Sequence, residues 1–289
     1  MKNYDFRATS NPDLERVVDR RGDWNFYRYK QKRFLRGITT VLNDGLAKSE
    51  AYLRALKYAN PIEWERKFFY ASDKGDAVHQ AIFNTLNGIV VTRFWLVLAE
   101  DNRTERQITD AEWSCLTSWA RFWREHDCVL VAHEAAVCNP KRGIAGTLDI
   151  LFRMRKACGY KGGSYKCPCE DYVGLLLLGD WKTGGGIYES HEAQVAALAT
   201  CDLSTLIGQR KIEATCVIRL GTTHKRGFEV AFYDSRQRKK HLRRFNSALV
   251  QAQEKRPMFN KDDIFDDPET LDVRIERENL APASAQEAA

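Results

Sequence analysis

The chain has 289 residues and a formal net charge of +6, with 44% hydrophobic and 29% charged residues. This length and balance are typical of a globular protein that buries a sizeable core, and we expect a single domain. No apolar run approaches the roughly 20 residues of a membrane-spanning helix, so we expect no membrane association. The first residues lack the apolar segment of a secretory signal. We therefore expect a cytoplasmic protein, in the host cytoplasm if a virus encodes it.

Apolar residues three and four positions apart predict amphipathic helices in the first part of the chain. These helices fall at residues 42–59, 74–88 and 109–126. The third begins with the spacing of a capping box, Thr109 followed by Glu112. We therefore expect an N-terminal helical part over residues 1–126.

Short apolar segments bounded by turn residues predict β-strands in the second part of the chain. Three strands precede a helix at 189–203 and two follow it; the strands fall at 127–138, 143–154, 171–182, 213–220 and 227–234. The order predicts an α/β fold with a central mixed sheet flanked by helices, and an αβββαβ-type core over residues 127–255. The domain would span residues 1–270. Residues 271–289 are rich in Ala and Glu without apolar periodicity, which predicts a disordered tail.

The eight cysteines fall into two groups. Five stand singly in apolar surroundings and are predicted to be buried thiols: Cys115, Cys128, Cys138, Cys201 and Cys216. Cys158, Cys167 and Cys169 lie together in a glycine-rich segment between two predicted strands. Three thiolates could hold zinc, but the segment lacks the paired C-x2-C arms of a zinc ribbon, and a plain loop is the alternative.

A basic cluster follows the last predicted strand. Six cationic residues lie on one predicted helix: Arg236, Arg238, Lys239, Lys240, Arg243 and Arg244. Clustered positive charge favours an anionic polymer as partner, and we select Arg236, Lys239, Lys240 and Arg243 as candidate DNA contacts. A solvated helix face accounts for this segment equally well.

The stretch LLLLGDWKTGGG, residues 175–186, combines an apolar strand with an acid, a lysine and three glycines. A phosphate-binding loop of the P-loop type needs a glycine directly before its lysine, and Trp181 stands there instead. On a strand, side chains two apart share a face, so Asp180 and Lys182 point together and Trp181 points away. Asp149 lies among apolar residues of the preceding strand, where an unpaired carboxylate is costly. Its partner would be a metal or, in a purely structural alternative, Lys182.

Four short patterns occur in a fixed order along the chain. They are G-x-x-x-H (Gly75 to His79), G-x-x-D (Gly146 to Asp149), D-x-K (Asp180 to Lys182) and a later Gln194. Together they resemble the RecB-like exonuclease branch of the PD-(D/E)xK nuclease superfamily, over most of residues 34–198. The resemblance implies a restriction-endonuclease-like core.

The resemblance also implies roles for individual residues. His79, Asp149 and Asp180 would hold Mg2+ or Mn2+, Lys182 would position and activate the attacking water, and Gln194 would brace the site or the DNA. Without the resemblance, His79 would be assigned to the core.

Two weaker assignments come from the same resemblance. Glu134 matches an acid on the first core strand and is a candidate for metal or water contact. Thr39 lies in FLRGITTVL, which is similar to a short Ser/Thr-containing element of the family, and is a candidate DNA contact. Leu198 stands where the family has a tyrosine. We expect no iron–sulfur cluster, because no cysteine precedes Cys115 or follows Cys216.

The activity that the resemblance implies is a metal-dependent DNA exonuclease in recombination, repair or replication. Its substrate would be DNA with a free end or a single strand. Aromatic segments of the N-terminal part could stack on its bases, and a place in the core accounts for most of these aromatic residues equally well. A structure-specific or restriction-like endonuclease is one alternative, and a catalytically idle DNA-binding subunit is another.

Overall fold

The computed structural model describes residues 4–19, 25–48, 50–58, 60–98, 104–159, 161–162, 165–166 and 168–255. Over these ranges the chain is a mixed α/β protein with a central mixed sheet flanked by helices, which confirms the predicted fold class at that level. The predicted tail, 271–289, and Cys167 lie outside the described residues. None of the described helices combines the length and apolarity needed to cross a membrane.

Thirteen strands are described, and nine of them form the central sheet. In chain order the strands are β1 (Tyr4–Ala8), β2 (Leu14–Asp19), β3 (Asn25–Tyr29), β4 (Arg33–Gly37), β5 (Leu96–Leu98), β6 (Glu105–Gln107), β7 (Cys128–Asn139), β8 (Ile144–Met154), β9 (Lys161–Gly162), β10 (Tyr165–Lys166), β11 (Leu177–Lys182), β12 (Ala214–Leu220) and β13 (Phe228–Tyr233). The sheet order is β1-β2-β3-β4-β8-β11-β12-β13, with β7 also paired to β8. The pairs β4–β8 and β11–β12 are parallel and the others are antiparallel.

The four N-terminal strands correct the expectation that residues 1–126 are helical. They form an antiparallel meander that extends the central sheet through β4. Leu14, Tyr27 and Leu35 point inward from it and pack with residues of β7 and β8. β3 carries three aromatic residues, Phe26, Tyr27 and Tyr29, and β4 carries Phe34; aromatic residues favour strands, and this composition is the signal that the helix prediction missed.

The described helices are α1 (Ile38–Gly45), α2 (Glu50–Tyr58), α3 (Pro61–Leu86), α4 (Asp110–Glu125), α5 (Glu189–Leu198), α6 (Ser204–Ile207) and α7 (Ser235–Lys255), with a 3-10 turn at Pro168–Tyr172. The predicted helix at 42–59 is two helices, and the one at 74–88 is the second half of α3. Asn60 caps α3 ahead of a proline at its first position, and the capping box of Thr109 and Glu112 at α4 is confirmed.

Two apolar cores lie on opposite faces of the sheet. Helices α1, α5 and α7 cover the core that contains Leu178, and helices α3 and α4 cover the core that contains Trp181. Residues 177–181 are all buried, as expected for a central strand. The alternation along β11 therefore directs Trp181 into one core and Asp180 with Lys182 to the other face, as the sequence predicts.

Candidate metal centre

The site forms where β8 and β11 separate. The two strands pair from Leu177↔Phe152 to Gly179↔Ile150, and the pairing ends there. Beyond this point the Trp181 N–H donates to Oδ2 of Asp149 at 2.9 Å, and the Trp181 carbonyl lies 3.3 Å from Nε2 of His79. The N–H and C=O of one strand residue point to the same edge, so Asp149 and His79 meet at that edge.

The edge of β8 that faces β11 has an opening beside Asp149. β7 pairs along β8 from Ile144 to Met154 and occupies its other edge. On the open side, β4 pairs at Ile144 and Ala145, and β11 pairs from Ile150 onward. Residues 146–149 have no strand partner there among the described residues. This opening gives the Asp149 side chain access to solvent and to α3.

Three of the predicted residues bring potential metal ligands together. Nδ1 of His79 lies 3.7 Å from Oε1 of Glu134 and 3.8 Å from Oδ2 of Asp149. One ligand atom from each residue falls within 4.8 Å of the others. Because Nε2 faces the Trp181 carbonyl and donates to it, the lone pair of neutral His79 is on Nδ1, which faces the carboxylates. Such an outer hydrogen bond is how a protein orients a histidine ligand.

The backbone at Glu134 is strained. Its φ is 44°, in the left-handed region that costs a residue with a Cβ roughly 1–2 kcal/mol. The neighbouring backbone is supported by Ser10, whose hydroxyl accepts from the Ala136 N–H at 2.8 Å and donates to the Glu134 carbonyl at 3.5 Å. Strain of this kind occurs at functional sites, where the surrounding structure holds it. The strained residue is thus one of the three whose ligand atoms lie within 4.8 Å of one another.

Asp180 and Lys182 form a pair beside this group. Nζ of Lys182 lies 2.8 Å from Oδ2 of Asp180 and donates to Oε1 of Gln194 at 3.3 Å. The purely structural alternative was an ion pair of Lys182 with Asp149. The ion pair that Lys182 makes in the structure is with Asp180 instead. Gln194 contacts the lysine, as expected for a residue that braces the site.

The electrostatics of the pair reflect burial. Burial and the negative charge of Asp149 raise the pKa of Asp180 to about 6, against the opposing effect of Lys182. Burial lowers the pKa of Lys182, but Asp180 and Asp149 outweigh it and the net shift is upward. Apart from the ion pair, neither oxygen of Asp180 has a hydrogen-bond partner among the described residues. Buried carboxylate oxygens without donors fit a cation as the missing partner.

Two adjoining clefts give access to these residues. The larger has a volume of about 760 Å³ and includes His79, Glu134 and Lys182 in its wall, and the smaller has about 320 Å³ and includes Asp149 and Gln194. Thr39 and Asp76 line both clefts. The sequence analysis predicted Thr39 and missed Asp76, although Asp76 lies one helical turn before His79 and shares its face.

Tyr188 and His191, also missed, line the larger cleft. The Tyr188 N–H donates to Nδ1 of His191 at 3.2 Å. Burial and the charge of Lys182 lower the pKa of His191 to about 4. His191 is thus neutral at pH 7. The signal that could have identified it is its spacing on α5, three residues before Gln194.

The predicted DNA contacts on α7 lie outside both clefts. Arg236, Lys239, Lys240 and Arg243 are exposed. β13 ends at Tyr233, which pairs with Thr215 near the start of β12, whereas Lys182 pairs with Arg219 near its other end. α7 therefore begins at the end of these strands opposite to Lys182.

The remaining basic residues of α7 have intramolecular partners. Arg238 donates to the Ile212 carbonyl at 3.0 Å, and Arg244 pairs with Glu189 at 2.6 Å.

Comparison of the sequence with models of known protein families and with curated proteins finds no match.

A pH dependence of metal binding follows from His79. Burial opposes its charge, but Asp149 and Glu134 raise the pKa of His79 to about 9. A ligand histidine must be neutral, so below that pH a proton competes with the metal. Asp180 ionises at about pH 6, so between about pH 6 and about pH 9 the proton on His79 is the one that the metal must displace. The affinity for Mn2+ should therefore rise about tenfold per pH unit over this range, because one proton is released for each ion bound.

Calorimetric titration with Mn2+ in two buffers of different ionisation enthalpy measures the number of protons released per bound ion. His79→Asn should abolish its release, whereas His224→Asn, outside the clefts, should not. Proton release that is unchanged in His79→Asn would remove His79 from the ligand set.

Proposed function

We propose that the chain is a metal-dependent deoxyribonuclease of the PD-(D/E)xK type and acts as an exonuclease. The observation that carries the proposal is the convergence of His79, Glu134 and Asp149 within 4.8 Å of one another, beside the Asp180–Lys182 pair in an open cleft. The succession β7-β8-β11-α5-β12 supports a restriction-endonuclease-like core. The donor set of carboxylates and one imidazole suits Mg2+ or Mn2+.

His79, Glu134, Asp149 and Asp180 are the residues that would hold the ion. When bound, the ion would acidify a water and offset charge on the scissile phosphate. Asp149 is fixed by the hydrogen bond from the Trp181 N–H, which leaves its Oδ1 for a ligand. The Asp180 carboxylate is 1% exposed, and its Oδ2 is held by Nζ of Lys182 at 2.8 Å.

Lys182 acts in this site as a cation. Its raised pKa keeps it protonated, and a protonated ammonium donates hydrogen bonds but accepts none. It therefore does not serve as a general base in this state. It positions the attacking water or a phosphate oxygen and stabilises negative charge that develops in the reaction. Gln194 is a positioning residue, because its side-chain oxygen accepts from Nζ and limits where the ammonium points.

Groups that suit a nucleic acid backbone line the same clefts. Thr39 lies in the first turn of α1, whose N-cap residue is Gly37 and which has no side-chain cap. The N–H groups of an uncapped helix start favour a phosphate. Tyr188 is 56% exposed at the rim, where its ring can stack on a base. These features support DNA as the substrate.

Digestion of end-labelled DNA in Mg2+ tests the activity and separates the alternatives. We expect mononucleotides or short products from substrates with free ends and none when the ends are blocked. Cutting of closed circular DNA would identify an endonuclease. Binding of DNA without cleavage in Mg2+ or Mn2+ would indicate the idle subunit and would contradict the proposal.

The Lys182→Ala variant should lower turnover roughly 100-fold to 1,000-fold, the loss typical of a removed transition-state charge. Metal affinity should not weaken, since an ammonium cannot ligate a cation. Lys211→Ala, an exposed lysine outside both clefts, is the matched control. Single-turnover cleavage and Mn2+ calorimetry measure the two quantities. Weaker Mn2+ binding by Lys182→Ala would contradict this role.

The exposed residues of α7 provide a test of how DNA is held. If Arg236, Lys239, Lys240 or Arg243 contacts phosphate, its replacement by Ala should lower the salt slope of DNA binding by about 0.7 to 0.9. Binding should weaken alike for all sequences. Gln251→Ala on the same helix is the control. Unchanged slopes in all four variants would assign these residues to a solvated face, in agreement with their position outside the clefts.

A further inference from the structure

A second cluster of potential metal ligands lies away from the carboxylates. His126 caps the C-terminal end of α4, Cys158 follows β8, and Cys169 lies in the 3-10 turn before β11. The two sulfur atoms are 3.4 Å apart, and one ligand atom from each of the three residues falls within 4.8 Å of the others. Neither cleft of the candidate nuclease site includes any of them.

His126 is the informative member of the cluster. Its side chain is fully buried, and Nδ1 lies 2.9 Å from the Phe122 carbonyl. Because a carbonyl only accepts, the proton of the neutral ring is on Nδ1 and the lone pair is on Nε2. Nε2 is buried and has no hydrogen-bond partner among the described residues. A buried acceptor without a partner is costly, and a histidine that donates from one nitrogen to a carbonyl is oriented to ligate with the other.

We propose that His126, Cys158 and Cys169 bind a structural Zn2+ ion. Two thiolates and an imidazole are ligands that zinc prefers, with water or another donor in the fourth position. With Zn–S bonds of about 2.3 Å, two sulfurs of a tetrahedral site lie about 3.8 Å apart, close to the observed separation. A disulfide would need about 2.05 Å.

The hydrogen bonding of the cluster also suits thiolates. The Cys158 N–H points at Sγ of Cys169 at a distance of 3.4 Å. A hydrogen bond donated to sulfur favours its charged form. On binding, both thiols lose their protons to solvent and each sulfur forms a bond to the ion, so no electron is transferred.

The proposed ion would tie together the connection between β8 and β11. Both ends of this connection are already held, since the Arg155 N–H donates to the His126 carbonyl at 3.1 Å and the Gly174 N–H to the Met154 carbonyl at 2.8 Å. The ion would add a cross-link from Cys158 to Cys169 and from both to α4. The connected strands carry Asp149 and Asp180.

Metal analysis of the full chain, purified under reducing conditions, tests the site. We expect about one Zn2+ per chain that survives gel filtration, as for a structural zinc site. Cys158→Ser and His126→Asn should lose most of it. Cys128→Ser, which changes a nearby half-buried cysteine outside the cluster, and His79→Ala, which alters the nuclease site, should both retain it.

Substitution with Co2+ gives a readout that does not depend on variants. Thiolate ligation should produce charge-transfer absorption in the near ultraviolet and intense visible bands typical of tetrahedral Co2+. Reduced wild-type protein that contains no zinc and gives no thiolate bands with Co2+ would overturn the proposal, as would a Cys158–Cys169 disulfide in the isolated protein. Zinc retained in Cys158→Ser would also contradict it. DNA cleavage is not measured, so the outcome is independent of the proposed nuclease activity.

Discussion

The main chain of Trp181 is the constraint on which the candidate site depends. Where β8 and β11 separate, its N–H and C=O lose the partners that a continued ladder would supply, and buried backbone groups must be paired. Asp149 accepts from the N–H and His79 donates to the carbonyl. The Trp181 ring is anchored in the core beneath α3 and α4, which fixes this residue in place. The groups that complete the strand are thus the ones predicted to bind metal.

This arrangement divides the acidic residues into two kinds. Asp149 supports the structure apart from its proposed role as a ligand, because its removal would leave the Trp181 N–H without an acceptor at a cost of about 1–3 kcal/mol. Apart from Lys182, no hydrogen-bond donor of the described residues reaches the buried oxygens of Asp180, so burial raises the pKa of Asp180 and favours a positive partner. Lys182 supplies one positive charge. A divalent ion would supply the rest, in competition with the proton that His79 carries at lower pH.

The parts of the site that could be predicted are those set by local geometry. Strand alternation predicts that Asp180 and Lys182 point together, and the capping box predicts where α4 begins. Glu134 depends on a left-handed residue within a strand, which no periodicity encodes. The sequence analysis identified the cysteine group as either a zinc site or a plain loop. It did not identify His126 as a member of the group, because His126 is far from Cys158 and Cys169 in sequence and joins them only when β8 packs against α4. Strands β1–β4 were missed because the helical patterns that begin at residue 42 were extended to the whole of residues 1–126, while the aromatic residues before them were left between base stacking and the core.

The register between β8 and β11 links the two clusters. Only three residue pairs define it, from Leu177↔Phe152 to Gly179↔Ile150. A slip of one residue would turn Asp180 and Lys182 to the opposite face and bring the Trp181 ring to the metal ligands. Burial on both faces of β11 opposes such a slip. A cross-link between Cys158 and Cys169 would oppose it as well, because both residues lie within the connection between the two strands and the link would shorten its free length. The proposed zinc ion would therefore act on the carboxylates through the position of the strands, without contact with the substrate.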